Sequence, residues 1–324
     1  MKNICITGGC GFIGAQLAKH IQAVRPETQI TLFDNMSVGS PAFVNEIFED
    51  SIPSNIKFIE GDIRNFSKMT SALVDITHVV HLAANTGVRV SIEQPELDKE
   101  VNVSGTFNVL KAALENKVQR VILASSGAVV GPKNPPMHEE MVPKPASPYA
   151  ASKLATEVYA SAFYHTWGLS SVALRFSNVY GPGSQNKGSL VAKFLRHAIL
   201  GHPFEIYGNG EQTRDFIYIS DLCDAVISAI ENTQIEQEVF QISTGIETSV
   251  NEAIEQMSLL LQEYGLPVPK VSYTSQQPGE LMKNHADPSK AHRLLNWKAR
   301  VDLQNGLRET ISALSKTFVA WGER

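Results

Sequence analysis

Apolar residues in the first half of the chain fall into short runs separated by segments of helical spacing. Runs at Ile4–Thr7, Ile30–Phe33, Ile56–Ile59, His78–Ala84, Arg120–Ser125 and Ser171–Arg175 have strand length. Between the first two, Ile13, Leu17, Ile21 and Val24 recur every three or four residues until Pro26. That is one buried stripe of a helix, stopped by a residue that cannot continue it. The residues through Trp167, beginning near Tyr149, suit a second helix. Such alternation predicts a parallel sheet covered on both faces. After Arg175 the pattern is less regular and richer in Gly and Pro. Phe240–Ser243 reads as one more strand, returning to the first sheet, and Gln304–Val319 as a terminal helix. No repeat, flexible linker or low-complexity segment intervenes. The expectation is a domain over residues 1–175, with a returning segment near 215–245, packed against a smaller interleaved α/β domain over 176–324.

Composition removes several function classes. The chain has 324 residues, 43% of them hydrophobic, enough for a sizeable core. Its 28 basic and 33 acidic residues are dispersed and give a net charge of −5, so no nucleic-acid partner is expected. No apolar run is long enough to span a bilayer. Met1-Lys2-Asn3 leads straight into a strand, unlike a secretory signal, so no membrane association is expected. Cys5, Cys10 and Cys223 have neither metal-site spacing nor the look of a disulfide framework. They predict buried thiols in a reducing cytoplasm, and no metal.

The first chemistry-bearing motif follows the first strand. Gly8, Gly11 and Gly14 are spaced Gly-x-x-Gly-x-x-Gly just before the predicted helix. A tight turn needs glycine's dihedrals, and a pyrophosphate needs close backbone approach. The helix N-terminus then offers free N–H groups and a favourable dipole. Asp34 ends the next strand, 20 residues after Gly14. A carboxylate there accepts bonds from a ribose diol and repels a 2′-phosphate, which favours NAD over NADP. The fold expected is therefore α/β, a doubly wound parallel sheet of Rossmann type that binds NAD.

Tyr149 and Lys153 lie four apart, one helical turn, and share a face. A Tyr/Lys pair at this spacing arises readily by chance. Its weight comes from position, after the fifth strand and just beyond Ser125 and Ser126, where strand ends face the ligand crevice. A free tyrosine holds its proton too tightly to be a base near neutral pH. A neighbouring ammonium and the positive nicotinamide of NAD⁺ both favour the phenolate. Tyr149 can then exchange a proton with a sugar hydroxyl, and a serine hydroxyl can hold the same oxygen.

The sequence resembles the extended short-chain dehydrogenase/reductases, specifically the nucleotide-sugar epimerases and dehydratases. The likeness runs through Thr7–Gly14, Gly61-Asp62-Ile63, His81–Ala84, Ser125-Ser126, Tyr149/Lys153, Arg175–Pro182, Thr213–Tyr218 and Ala286–Ala291. It implies Ser126, Tyr149 and Lys153 as the catalytic set. It implies cofactor contacts from Gly8, Gly11, Phe12, Ile13, Gly14, Asp34, Asn35, Asp62, Ile63, Leu82, Ala83, Ala84 and Lys153. Ser126, Tyr149, Asn178, Leu190, Tyr207 and Arg214 match positions that hold the nucleotide-sugar. For Arg214 the residue itself agrees, since an arginine fork suits a phosphate. Asn178 as a turn cap and Tyr207 as core remain open alternatives. The resemblance also implies a homodimer, built from the helices near Gln94–Glu115 and Tyr149–Trp167.

The stretch after Ser126 separates the chemistries within this resemblance. Related 4,6-dehydratases carry an Asp-Glu pair there, and related decarboxylases a glutamate. This chain has Gly127-Ala128, which offers no acid or base. Eliminating water needs both. The expected activity is C4 epimerisation of a UDP-hexose or UDP-N-acetylhexosamine through a transient 4-ketone. A ketosugar reductase, another nucleotide-sugar epimerase such as one acting on a uronic acid, and a non-catalytic NAD-binding protein are the rivals. Two positions depart from the pattern: Gln277 replaces a diphosphate-binding arginine, and Val130 replaces a tyrosine. Asn284 matches a position where a bulky tyrosine closes the pocket beside C2 of the sugar. An asparagine there predicts room, and an amide partner, for a 2-acetamido group.

Overall fold

The computed structural model describes residues 1–185, 187–275 and 282–322. Its centre is a seven-stranded sheet, parallel throughout. The spatial order is Gln237–Ile242, Ser171–Phe176, Arg120–Ser126, His78–His81, Asn3–Thr7, Gln29–Asp34 and Ile56–Glu60. Strand order reverses between Asn3–Thr7 and His78–His81. A doubly wound sheet opens its ligand crevice at such a switch point, beyond the carboxyl ends of the strands.

The helices lie on both faces. Phe12–Val24 and Ile219–Glu231 pack together on one side, and Phe66–Ala72, Thr106–Glu115 and Pro148–Trp167 on the other. Each face buries its own apolar cluster, one containing Ile6, Leu17 and Leu174, the other Val79, Val109, Leu123 and Phe163. The three thiols are buried, and burial pushes those of Cys5 and Cys10 up to about 12, so they act as small apolar residues.

Local chemistry sets the boundaries. Pro148–Trp167 starts at Ser147, whose hydroxyl accepts from the Ala150 amide, with Pro148 at the first helical position; it ends at Gly168 in the left-handed region. The strand from His78 ends at His81, not at Ala84. Its neighbour Asn3–Thr7 leaves the strand conformation at Gly8, and the Leu82 amide donating to the Thr7 carbonyl at 3.0 Å is the last main-chain bond between them. The late strand is Gln237–Ile242, three residues earlier at its start than Phe240, and it joins the sheet beside Ser171–Phe176. The terminal helix spans Leu303–Gly322.

The remaining pairings are short. Asn178–Tyr180 pairs with Phe216–Tyr218, Phe204–Tyr207 with Val271–Thr274, and Thr213–Arg214 with Thr248–Ser249. The segment Phe216–Ile242 leads back to the sheet through Ile219–Glu231, so residues of the second half cover and extend the first.

Candidate active site

The glycine turn lies at the switch point. Gly8 has φ of +69°, and the Gly8 amide donates to the Phe33 carbonyl at 2.8 Å. A side chain at Gly14 would overlap the Gly8 carbonyl oxygen, so the helix starts as close to the turn as backbone allows. Gly11 caps Phe12–Val24 with no side-chain bond, which leaves the first amides to a ligand. This cradle fits the diphosphate of a dinucleotide. Asp34 is buried and accepts from the Cys10 amide and the Met36 amide, each at 2.9 Å. It therefore also shapes the turn, while a carboxylate's further lone pairs remain for a ribose.

The neighbouring candidates gather on the adjoining strand ends. Asn35 donates to Asp62 at 3.1 Å, and Arg64 grips Asp62 through its backbone amide at 2.8 Å and its guanidinium at 3.0 and 2.8 Å. These bonds hold the Asp62 carboxyl well below the usual carboxylate range. Ile63 packs where a side chain at Gly105 would stand. The Ala83 backbone lies against Gly8, and its amide donates to the Thr7 hydroxyl at 3.3 Å. Gly8, Gly11, Phe12, Ile13, Gly14, Asp34, Asn35, Asp62, Ile63 and Leu82–Ala84 thus surround one strand-end crevice and would hold NAD there.

Ser126, Tyr149 and Lys153 meet beside it. Ser126 ends Arg120–Ser126, and its hydroxyl accepts from the Ala128 amide at 3.2 Å. The Ser126 side chain acts on the Tyr149 phenol from close range. Lys153 is buried; its ammonium donates to the Ala124 carbonyl at 3.0 Å and lies 6.0 Å from the Tyr149 ring centroid. Burial pushes the Tyr149 phenol up, Ser126 pulls it down, and the Asp98 carboxylate adds to the upward shift. Burial lowers Lys153 to about 8, against the pull of Asp98. The expectation from sequence, that the lysine brings the phenol down, is not what dominates here. Burial does, and Tyr149 rests as a phenol.

Sequence reasoning missed the groups beneath this set. Asp98 and Asn102 are buried polar residues four apart, where the backbone widens into a π-helical stretch over Lys99–Gly105. Asn102 donates to Asp98 at 2.9 Å, to Ser152 at 3.2 Å and to the Asn85 carbonyl at 2.9 Å. They sit in the mixed polar stretch Leu97-Asp98-Lys99-Glu100-Val101-Asn102-Val103, where nothing in the pattern singles them out. On the other side, Arg175 forms a double bond-pair to Glu157, 2.8 Å at each oxygen, and Ser125 donates to Glu157 at 2.5 Å. His81 bridges Thr7 at 2.7 Å and Thr106 at 2.9 Å, and burial lowers it to about 3, so it is neutral.

The substrate candidates come from separate segments. Asn178 donates its side-chain amide to the Asp215 carbonyl at 3.1 Å and keeps its oxygen; Arg214 precedes that same Asp215. Leu190 opens the helix Leu190–Leu200. Tyr207 is 39% exposed, so it is not core. Asn284 is half-buried, two residues before Ala286, which bridges Met137 on the loop that follows Ser126. Val130 is buried with Val129, Met137 and Ala286. Gln277 lies outside the described residues. Among the described residues, no three His, Cys, Asp or Glu gather as a metal site, and no helix is long and apolar enough to cross a membrane.

A family model described as "NAD dependent epimerase/dehydratase family" matches residues 4–243. The chain belongs to this family. A UDP-glucuronate 4-epimerase of Thermodesulfobacterium geofontis is 30% identical over 313 residues, 95% of this chain and 94% of the relative. A solved UDP-glucose 4-epimerase of Thermotoga maritima, with UDP-glucose, superposes with a TM-score of 0.87 at 31% identity, covering 97% of this chain and 99% of its own. A solved UDP-N-acetylglucosamine 4-epimerase of Methanobrevibacter ruminantium, in complex with UDP-N-acetylmuramic acid, gives 0.88 at 30%, covering 98% and 99%. Epimerases and dehydratases stand side by side among the family's relatives at such identities. The family is NAD-dependent, and the cradle at Gly8–Gly14 fits that cofactor.

Proposed function

We propose that this chain inverts C4 of a nucleotide-sugar, a UDP-hexose or UDP-N-acetylhexosamine. One observation carries the reading: the Tyr149 phenol stands beside Ser126, with Lys153 buried behind it, while the adjoining residues are Gly127 and Ala128. Ser126 and Tyr149 can hold one sugar oxygen and exchange its proton. No side chain at 127 or 128 can take the C5 proton and protonate a leaving hydroxyl, as dehydration requires. NAD, when bound, supplies the positive ring that favours the Tyr149 phenolate, and takes up and returns the hydrogen of C4. Tyr149 removes the O4 proton, the sugar passes through the 4-ketone, and the same phenol returns the proton after the sugar has turned. The test is release of NAD on denaturation, followed by an NMR screen of UDP-, dTDP- and GDP-sugars for C4 inversion. A 4-keto-6-deoxy product contradicts the reading.

Three finer statements belong with it. Residues 1–175, with the returning segment, would hold NAD, and 176–324 mainly the nucleotide-sugar. Asn284, on the segment that faces the loop after Ser126, would admit a 2-acetamido group. The protein would be a cytoplasmic homodimer. Val158 (59% exposed) and Trp167 (56%) lie exposed on one of the helices expected to pair, where Tyr159 meets Phe107 of the other with ring centroids 5.5 Å apart. Light scattering that gives a monomer mass at every concentration contradicts the dimer.

A further inference from the structure

Lys187 is placed in a way that the catalytic set does not explain. The stretch of residues 181–185, together with Lys187, is clamped from both sides. Gln16, on the cofactor helix Phe12–Val24, donates to the Pro182 carbonyl at 2.7 Å. Arg196, on Leu190–Leu200, donates to the Gln185 carbonyl at 3.0 Å. The loop's own amides close it, Ser184 onto Gly181 at 3.1 Å and Lys187 onto Ser184 at 2.8 Å. This fixes the ammonium of Lys187 over the ring of Phe12, 5.2 Å from its centroid, and on the Val179 carbonyl at 3.3 Å. Phe12 is the first residue of the helix whose uncapped amides face the cofactor cradle. Val179 follows Asn178, a candidate for the substrate side.

Among the described residues no carboxylate lies in ion-pair range of this ammonium, and burial lowers it to about 8. Lys187 is half-buried, and one carbonyl and a ring face replace only part of the water its charge gives up. A cation kept there without a counter-charge, beside open helix amides, is suited to an anion that arrives with a ligand.

We propose that Lys187 is a diphosphate-binding residue, its ammonium neutralising phosphoryl oxygens of a bound nucleotide beside Phe12. The inference rests on the nucleotide-binding reading of the site. Two ligands carry that chemistry, the pyrophosphate of NAD and the diphosphate of a nucleotide-sugar.

The experiment is calorimetric titration of the full chain, as wild type, Lys187→Gln and Lys187→Arg, with NAD on cofactor-stripped protein and with UDP on NAD-loaded protein. Each is run at pH 8 in two buffers of different ionisation heat. Lys187→Gln weakens one of the two ligands by about tenfold or more, as expected for a lost charge-assisted contact. Loss in the UDP arm places the ammonium on the substrate, and loss in the NAD arm on the cofactor. Wild type takes up protons on binding that ligand, because the anion returns a half-titrated ammonium to its charged form. Lys187→Arg keeps the affinity and loses the uptake, since a guanidinium does not titrate at pH 8. That variant decides alone if the glutamine variant does not fold. Affinities within twofold of wild type for both ligands, with unchanged proton uptake, overturn the proposal and leave the nucleotide-sugar reading standing. Wild type that binds NAD but not UDP overturns that reading, while the NAD arm still decides Lys187. Binding of neither ligand overturns both.

Discussion

The turn at Gly8–Gly14 and the scattered group Asn178, Leu190, Tyr207, Arg214 and Asn284 are held in different ways. The turn is mostly main chain against main chain, with Gly8 on the Phe33 carbonyl and Gly14 against the Gly8 carbonyl, and one side chain, the Asp34 carboxylate, holds it at the Cys10 amide. Large buried elements support it. The scattered group stands on separate segments joined by pairings of two to four residues. A cradle of backbone recognises what all dinucleotides share. Side chains on short, independent segments can change one at a time, so a preference for sugar or base built on them can be retuned without touching the turn. Damage to the first region should abolish function or stability, and changes in the second should retune preference.

Tyr149→Phe should give the largest effect. Turnover should fall by about 10²–10⁴-fold, the range for a lost general acid–base group, with NAD occupancy unchanged. Steady-state rates on NAD-loaded protein measure it, and a variant within a few-fold of wild type removes Tyr149 from the mechanism. Arg175→Met should come next. It strands the buried Glu157 carboxylate and should cost about 3–5 kcal/mol in urea unfolding. A loss under 1 kcal/mol would mean that the support beneath Ser125 is dispensable.

Acid should loosen the same region. His81 has its folded pKa at about 3, below the ordinary 6.5. Between those values the unfolded chain binds more protons, so stability is retained above pH 6.5 and falls as pH drops through the window. The fall from this residue should be on the order of 2 kcal/mol between pH 6.5 and 5. His81→Gln should flatten the slope of unfolding free energy against pH; an unchanged slope rejects the assignment. The smallest effect should come from Asn284→Tyr, a few-fold drop in kcat/KM for an acetylated sugar relative to the plain one. No relative change would remove Asn284 from the sugar pocket.

The same contrast governs what could be read in advance. Gly8, Gly11, Gly14 and Asp34 carry a spacing because a turn between strand and helix requires one, and strand patterning located the sheet. Tyr149 and Lys153 were legible through one helical turn. Asp98 and Asn102 were not, because their role depends on a π-helical widening and on Ser152, 50 residues beyond Asn102. Lys187 was not, because Phe12 and Val179 meet it only after the chain has crossed the sheet. The strand from His78 was drawn too long because hydrophobicity continues past the point where its neighbour leaves.

The most direct test of C4 inversion in place is proton NMR in D₂O, without added NAD, on UDP-glucose and UDP-N-acetylglucosamine. The predicted result is the C4-inverted sugar with hydrogen retained at both C4 and C5, since the C4 hydrogen never leaves the site and C5 is never touched. Deuterium at C5 with loss of water, or no change in either sugar, would contradict it.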